Sequence, residues 1–157
     1  MIDISVYVRG EAKGQPRPRA FAMKGKNGSK PAIRMYEPGT AEGWKGQIAD
    51  AFKPHLPDEP HTGPVKVSLA FFMKRPKNQF RTGKHADELR PDAPTLYVKK
   101  PDADNLAKAV LDALTVLQFW KDDDQVVDLI VRRRWVNPGN APGCWVKVKS
   151  MKEEDHV

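Results

Sequence analysis

The chain has 157 residues, of which 30% are charged and 39% hydrophobic, a composition typical of one globular domain with its own core. Its net charge of +7 and pI near 9.5 indicate a nucleic acid or another anionic surface as partner. The single cysteine excludes an intramolecular disulfide, and the sequence shows neither a signal peptide nor an apolar run of about 18 residues, so we expect a cytoplasmic protein with no membrane partner.

A strand and a basic loop are predicted at the start of the chain. Apolar and polar residues alternate over residues 2–9, which predicts a strand with one buried face. Residues 10–39 are rich in glycine and proline and carry seven cations against two carboxylates, so we expect a loop that contacts phosphates, with a solvated loop as the alternative. The candidate DNA-binding residues of this loop are Arg17, Arg19 and Lys24.

A helix, a strand and a second basic loop follow. Residues 40–52 predict a helix with Trp44 in its buried stripe. Apolar alternation over residues 65–73 predicts a strand, and because both of its faces are fairly apolar we expect it to be central in the sheet. Residues 74–100 form a basic loop that leads directly into an acidic segment, with eight cations against three carboxylates. Its candidate DNA-binding residues are Lys74, Arg75, Lys99 and Lys100.

Residues 101–128 form an acidic island in this basic chain. Seven aspartates against two lysines give the segment a charge of −5, so the rest of the chain, whose total is +7, carries +12. Asp102 and Asp104 flank one residue, and at the end of an extended segment they point to the same side. The apolar spacing that follows predicts a helix over about residues 105–117, with Asp104 or Asn105 as its N-cap.

The predicted helix places Lys108 one turn after Asp104, close enough to reach the same ligand. The triplet at residues 122–124 precedes a predicted strand and is expected to fold back beside the first acidic pair. Three carboxylates within about 5 Å of one another repel by several kcal/mol at an effective dielectric near 20, and a cation removes that repulsion. Oxygen ligands favour Mg²⁺, with Mn²⁺ possible. The residues alone leave one alternative, an N-cap followed by a solvated acidic loop.

The end of the chain predicts two more strands. Residues 125–136 read as a long strand, and after a turn rich in glycine and proline residues 144–149 read as its returning partner. The predicted order is therefore strand, helix, strand, helix, hairpin. We expect a small mixed β-sheet with two main helices, in a single α+β domain over residues 1–157.

Two motifs lie between residues 102 and 128. The first reads D-x-D-N-L-x-K-x-x-x-D-A-L and the second F-W-x-D-D-x-Q-V-V-D. Together they resemble RusA-type Holliday-junction resolvases, which are usually encoded by phages or prophages. The resemblance implies that Asp102, Asp104 and Asp123 bind Mg²⁺ and that Lys108 is the active-site lysine. Because Asp124 makes the later pair a triplet, Asp122 or Asp124 would replace Asp123 if the register of the loop shifts.

The resemblance also implies a homodimer that cuts two strands of a four-way junction, here in the cytoplasm of a bacterial host. We therefore predict a metal-dependent endonuclease that resolves four-way DNA junctions by paired phosphodiester hydrolysis. One alternative is a non-catalytic basic DNA-binding module whose acidic cluster is structural. Another is a small-molecule phosphohydrolase, which would share the metal site but would not need a charge of +12 outside it.

Overall fold

A four-stranded mixed sheet organises the fold. The computed structural model describes residues 1–15, 19–23, 32–36 and 39–155. In chain order the helices and strands are β1 (Asp3–Arg9), β2 (Arg19–Met23), β3 (Ala32–Tyr36), α1 (Gly39–Phe52), β4 (Val65–Met73), α2 (Ala103–Val116), β5 (Val126–Trp135) and β6 (Gly143–Ser150). None of the helices within these ranges has the length and apolar character needed to cross a membrane.

The strand order in the main sheet is β1-β6-β4-β5, so β4 is central as predicted. Strand β4 pairs antiparallel with β6 and parallel with β5, while β1 pairs antiparallel with β6. Alternate residues of β4 are fully buried and the others half-buried, since a strand points successive side chains to opposite faces of its sheet. The predicted α+β class, with one mixed sheet and two helices, is confirmed.

Both helices pack on one face of this sheet, and the core lies between the two layers. Helix α1 contributes Trp44, Ile48 and Phe52, which are buried, as the predicted stripe requires. Helix α2 buries an apolar stripe in the same core and contacts α1 and β5. Its members are Leu106, Ala107, Ala109, Val110, Ala113 and Leu114. The polar side of α2 is therefore left available for a functional site.

The predicted hairpin between the last two strands is wrong, because β4 lies between β5 and β6. Helix α2 connects β4 to β5, which lies parallel beside it. Residues 136–142 then connect β5 to β6, which lies on the opposite side of β4. Seven residues reach well beyond the roughly 10 Å that separates two strands on either side of a third. The crossing is held by the Val136 amide, which donates to the Met73 carbonyl at 2.9 Å, and by the Gly10 amide, which donates to the Pro142 carbonyl at 2.9 Å.

The segment predicted as a basic loop at residues 10–39 contains regular structure. Strands β2 and β3 pair antiparallel in a separate two-stranded sheet, with Arg19 opposite Tyr36. Glycine and proline between two runs of β-forming residues are also the signature of a hairpin, which the loop prediction did not use. Arg17 and Lys24 lie outside the described residues, and of Arg19 only the backbone is described.

The segment at residues 74–100 folds on itself. A short 3₁₀ turn at Lys77–Gln79 precedes Phe80, which forms a backbone bridge with Leu89, and a second turn at Gly83–His85 lies between these two residues. Arg81 pairs with Glu88 at 3.0 Å, and the Arg90 Nε donates to the Phe80 carbonyl at 3.0 Å. Part of the positive charge that the sequence assigned to phosphate contact therefore holds this segment together.

Candidate metal centre

The backbone that leads into α2 is held by two side chains. The Tyr97 hydroxyl donates to the Lys100 carbonyl, and the Arg133 Nη1 donates to the carbonyls of Lys99 and Pro101 at 2.7 and 3.1 Å. The Arg133 guanidinium also lies over the Tyr97 ring, 5.4 Å from its centroid. The Lys100–Pro101 peptide bond is cis. Arg133 thus joins β5 to the segment that places Asp102.

Asp102 is the N-cap residue of α2, two residues before Asp104 and three before Asn105, the two N-caps that the sequence suggested. Its backbone is extended, its carbonyl accepts from the Leu106 amide at 3.0 Å, and its side chain makes no capping hydrogen bond. The Asp102 carboxylate is therefore exposed and not used by the helix itself. Asp104 is exposed in the first turn, where the helix dipole favours a negative charge.

The segment before residue 16 passes against the start of α2. The Gln15 amide donates to the Asn105 carbonyl at 3.0 Å. Gly14 lies so close that an added Cβ would be 3.1 Å from the Pro101 Cβ and 3.2 Å from the Asn105 Cβ. A side chain at position 14 would therefore force its neighbours to shift by a few tenths of an ångström, and the backbone of residues 14 and 15 lies beside the segment that carries the first acidic pair.

The exposed side of α2 carries a line of charged residues. Asp104, Lys108 and Asp112 follow one another at intervals of four residues, which places them one above the other on a helix. Asp104 and Lys108 are exposed and Asp112 is half-buried. Lys108 therefore stands between two carboxylates on this face.

The turn that carries the aspartate triplet is fixed by Gln125. The Gln125 Oε1 accepts from the amides of Lys121 and Asp122 at 2.9 and 3.0 Å, and its Nε2 donates to the carbonyls of His61 and Gly63 at 2.9 and 3.0 Å. The Asp122 side chain accepts in return from the Gln125 amide, which completes a capping box. Asp122 is thereby engaged in holding the turn.

Asp123 is the member of the triplet that lies against α2. It is half-buried, whereas Asp122 and Asp124 are exposed. Burial raises the pKa of the Asp123 carboxyl, as do a hydrogen bond with Asp122 and the charges of Asp122 and Asp112, while Lys108 lowers it. The structure thus brings Asp123 together with Asp112, Asp122 and Lys108.

The other two predicted ligands occupy a different part of the same surface. Asp102 and Asp104 lie at the start of α2, while Asp123 lies beside Lys108 and Asp112 further along the helix. Within residues 1–15, 19–23, 32–36 and 39–155, no group of three or more His, Cys, Asp or Glu residues is arranged to hold a metal ion. The ion pairs recorded between described residues do not involve these aspartates. Carboxylate oxygens are the ligand type that Mg²⁺ and Mn²⁺ prefer, but Asp102, Asp104 and Asp123 do not form one coordination group in this structure.

The predicted DNA-binding residues of the second basic loop differ in their surroundings. Lys99 and Lys100 are exposed next to Asp102, and Lys74 is exposed but 3.2 Å from the Glu11 carboxylate. The assignment of Arg75 needs correction, since its side chain is only 7% exposed. Its donors go to the carbonyls of Val136 and Pro94 at 2.7 Å each and to the Gln79 Oε1 at 3.0 Å. Arg75 therefore holds the fold and does not face a phosphate.

Two residues that build this site were not identified as such from the sequence. Gln125 could have been found, because an aspartate followed three residues later by glutamine is the pattern of a capping box. Arg133 could not have been found, because it belongs to a run of three arginines. The local sequence does not show which of the three contacts residues 97–101.

Comparison with known proteins gives two matches. The model of a family described as endodeoxyribonuclease RusA matches residues 9–149. A protein from Bacillus subtilis (strain 168), called uncharacterized protein YqaN, is 34% identical over 135 residues, which cover 83% of this chain and 86% of the relative. The family match includes both acidic motifs, both helices and strands β4, β5 and nearly all of β6, but only the last residue of β1.

Proposed function

The chain belongs to the RusA endodeoxyribonuclease family, and on this basis we propose that it resolves four-way DNA junctions as a Mg²⁺-dependent homodimer. Membership itself implies an endonuclease that acts on Holliday junctions and binds branched DNA. The metal, the paired cleavage, the dimer and the residue roles are our proposal. One observation supports the site above all others: the turn that carries Asp123 packs against α2, so that the charge of Lys108 acts on the Asp123 carboxyl.

On the family resemblance, the metal would be held by Asp102, Asp104 and Asp123 once it draws these carboxylates together, with Mn²⁺ as a possible substitute for Mg²⁺. A bound divalent cation activates water and stabilises negative charge on a phosphate and on the leaving 3′ oxygen. Lys108 would bind a non-bridging oxygen of the scissile phosphate, and Asp112 would hold the lysine ammonium in place from the next turn. Arg133 acts as a positioning residue, because it fixes the backbone from which Asp102 projects.

Lys99 and Lys100 would contact the phosphodiester backbone next to the cleavage site. Both are exposed and immediately precede the acidic segment, so they lie where a bound strand must pass to bring its phosphate to Lys108. Two identical cuts require two sites related by a two-fold axis, which is the physical reason for a homodimer.

Asp104→Asn tests the proposal, because it separates binding from chemistry. Asparagine keeps the shape of the side chain, and Asp104 makes no recorded ion pair, so the fold should be retained. We expect cleavage of a synthetic four-way junction to fall by at least about 100-fold, since a preorganised electrostatic contact is removed. Junction affinity should stay equal or increase, because one negative charge facing phosphates is lost.

The assay compares a labelled four-way junction with a linear duplex of the same sequence, in Mg²⁺ and in EDTA. Cleavage of the junction that needs Mg²⁺ and leaves the duplex intact supports the proposal. Asp124→Asn is the matched control, because Asp124 is exposed and belongs to the same triplet, and it should cleave normally. Full cleavage by Asp104→Asn would refute the metal site. If the wild-type protein binds the junction tightly but does not cleave it in Mg²⁺, the protein is a DNA-binding module and not a nuclease.

A further inference from the structure

The face of the main sheet turned away from the helices is not covered by another layer of described residues. Residues directly opposite one another in neighbouring strands share a face, so the registers identify this side completely. We call it the open face. It consists of Asp3, Ser5, Tyr7 and Arg9 from β1, Lys149, Lys147, Trp145 and Gly143 from β6, Lys66, Ser68, Ala70 and Phe72 from β4, and Asp128, Ile130, Arg132 and Arg134 from β5.

Trp145 stands in the middle of the open face with one side of its ring free. On the β1 side it packs against Tyr7, with ring centroids 5.1 Å apart, and the Tyr7 hydroxyl donates to the Ala141 carbonyl at 2.5 Å. On the β4 side its direct neighbour is Ala70, whose methyl group is too small to cover the indole. Trp145 is 42% exposed, although an aromatic ring of this size is normally placed where it is buried.

Concave surface lies on both sides of this tryptophan. A cavity of about 370 Å³ is bounded by Trp145, by small residues of β1 and β4 and by three cations. These residues are Ser5, Ser68, Ala70, Lys66, Arg132 and Lys147. A second cavity of about 420 Å³ lies beyond the indole, between Tyr7, Arg9 and residues 136–141. The tryptophan is thus a ridge with room for a flat ring against it.

The open face is strongly basic. It carries six cations against two carboxylates, a net charge of +4. The ion pairs recorded between described residues include none of these cations. Two copies of this face would bring +8 together, which opposes self-association through it, whereas a polyanion is attracted.

We infer that the open face binds single-stranded nucleic acid, with a base stacked on Trp145 and phosphates bound by Lys66, Arg132 and Lys147. An exposed aromatic ring among cations on a flat surface is the arrangement that recognises unstacked bases, and every base has a face to stack. A duplex hides those faces and is read by elements that enter its grooves, which a flat sheet does not provide. This surface lies across the sheet from α2, so it needs neither the metal nor Lys108.

Tryptophan fluorescence in EDTA tests this inference directly. The chain has four tryptophans, and three of them, Trp44, Trp120 and Trp135, are buried. Quenching by a single-stranded oligothymidylate of about 12 nucleotides therefore reports on Trp145. We expect Trp145→Leu to abolish the quenching and to weaken binding, measured by anisotropy of the labelled oligonucleotide, about tenfold.

Charge variants keep the test independent of the tryptophan. Lys147→Gln and Arg132→Gln should each weaken binding and reduce the slope of log K against log salt by about 0.7. Lys53→Gln is the matched control, because this lysine is exposed next to α1 on the helix side, and it should bind normally. Because binding is measured in EDTA and needs no cleavage, a failed cleavage site and a failed open face give different results.

Three outcomes would overturn the inference. One is a folded wild-type protein whose fluorescence and anisotropy do not respond to the oligonucleotide at low salt. Another is binding of a 12-base-pair duplex as tight as that of the single strand and unaffected by Trp145→Leu. The third is that Trp145→Leu changes the oligomeric state, measured by analytical ultracentrifugation, but still binds the oligonucleotide as the wild type does. That result would mean that the open face contacts a second copy of the chain.

Discussion

Replacement of Arg75 by methionine should lower the free energy of unfolding without lowering the affinity for junction DNA. Methionine fills a similar part of the buried space but has no donors, so the carbonyls of Val136 and Pro94 lose their partners. Those two carbonyls belong to the chain crossing after β5 and to the segment that precedes Tyr97. The substitution therefore loosens two connections at the end of the sheet next to α2.

The size of the effect follows from the hydrogen bonds. A hydrogen bond to a charged group contributes about 1.5–3 kcal/mol, and Arg75 makes two at 2.7 Å and a third at 3.0 Å. Part of this loss in stability is offset, because methionine does not require a charge to be buried. We expect a net loss of about 3 kcal/mol, which for a chain of this size lowers Tm by roughly 6–12 °C.

The measurement pairs calorimetric unfolding with junction binding by anisotropy in EDTA, at a temperature where both proteins are folded. Lys100→Met is the matched control, because this exposed lysine precedes the acidic segment and should show the reverse: an unchanged Tm and weaker binding. If Arg75→Met melts like the wild type and binds the junction several-fold more weakly, then its guanidinium faces a phosphate and our reading of the buried contacts is wrong.

Three further predictions concern the site. Lys108→Ala should slow single-turnover cleavage about 100-fold while junction affinity changes only a few-fold, and a rate close to wild type would remove Lys108 from the site. Arg133→Gln should lower the cleavage rate roughly 10- to 100-fold through misplacement of Asp102, with a smaller effect on binding; an unchanged rate would mean that the segment holds its shape alone. The folded protein disfavours the charged form of Asp123, because its pKa there is raised above the ordinary value of 3.8. The free energy of unfolding in EDTA should therefore fall as pH rises from 3.8 through the raised pKa, where this carboxyl loses its proton in the folded state. Asp123→Asn should lose this dependence and melt higher than the wild type at pH 7 in EDTA, and thermal unfolding at pH 4 and pH 7 checks both.

The sequence by itself determined most strands and both helices of the main layers, and it predicts the residues of the site. Period-2 alternation over residues 65–73 and the apolar stripe of α2 are properties of local spacing, so they predicted a central strand and a helix with one buried side. The order and spacing of the acidic motifs gave the family, and they predict that Asp102, Asp104, Lys108 and Asp123 belong to one site. These features need no knowledge of what lies across from them.

Only the tertiary structure decided which strands pair and which cations are free. Strand β4 lies between β5 and β6. The residues between β5 and β6 are long enough either for a short hairpin or for a crossing over β4, and the local sequence pattern does not show which connection is more stable. Arg75 and Lys100 belong to the same basic segment, yet one is buried among carbonyls and the other is exposed. Alternation in β6 puts Trp145 on the same side as the exposed Lys147, but only the strand register shows that its neighbours across the sheet are Tyr7 and Ala70. Charge and hydrophobicity are properties of a residue, whereas availability to a ligand depends on contacts between segments far apart in the chain.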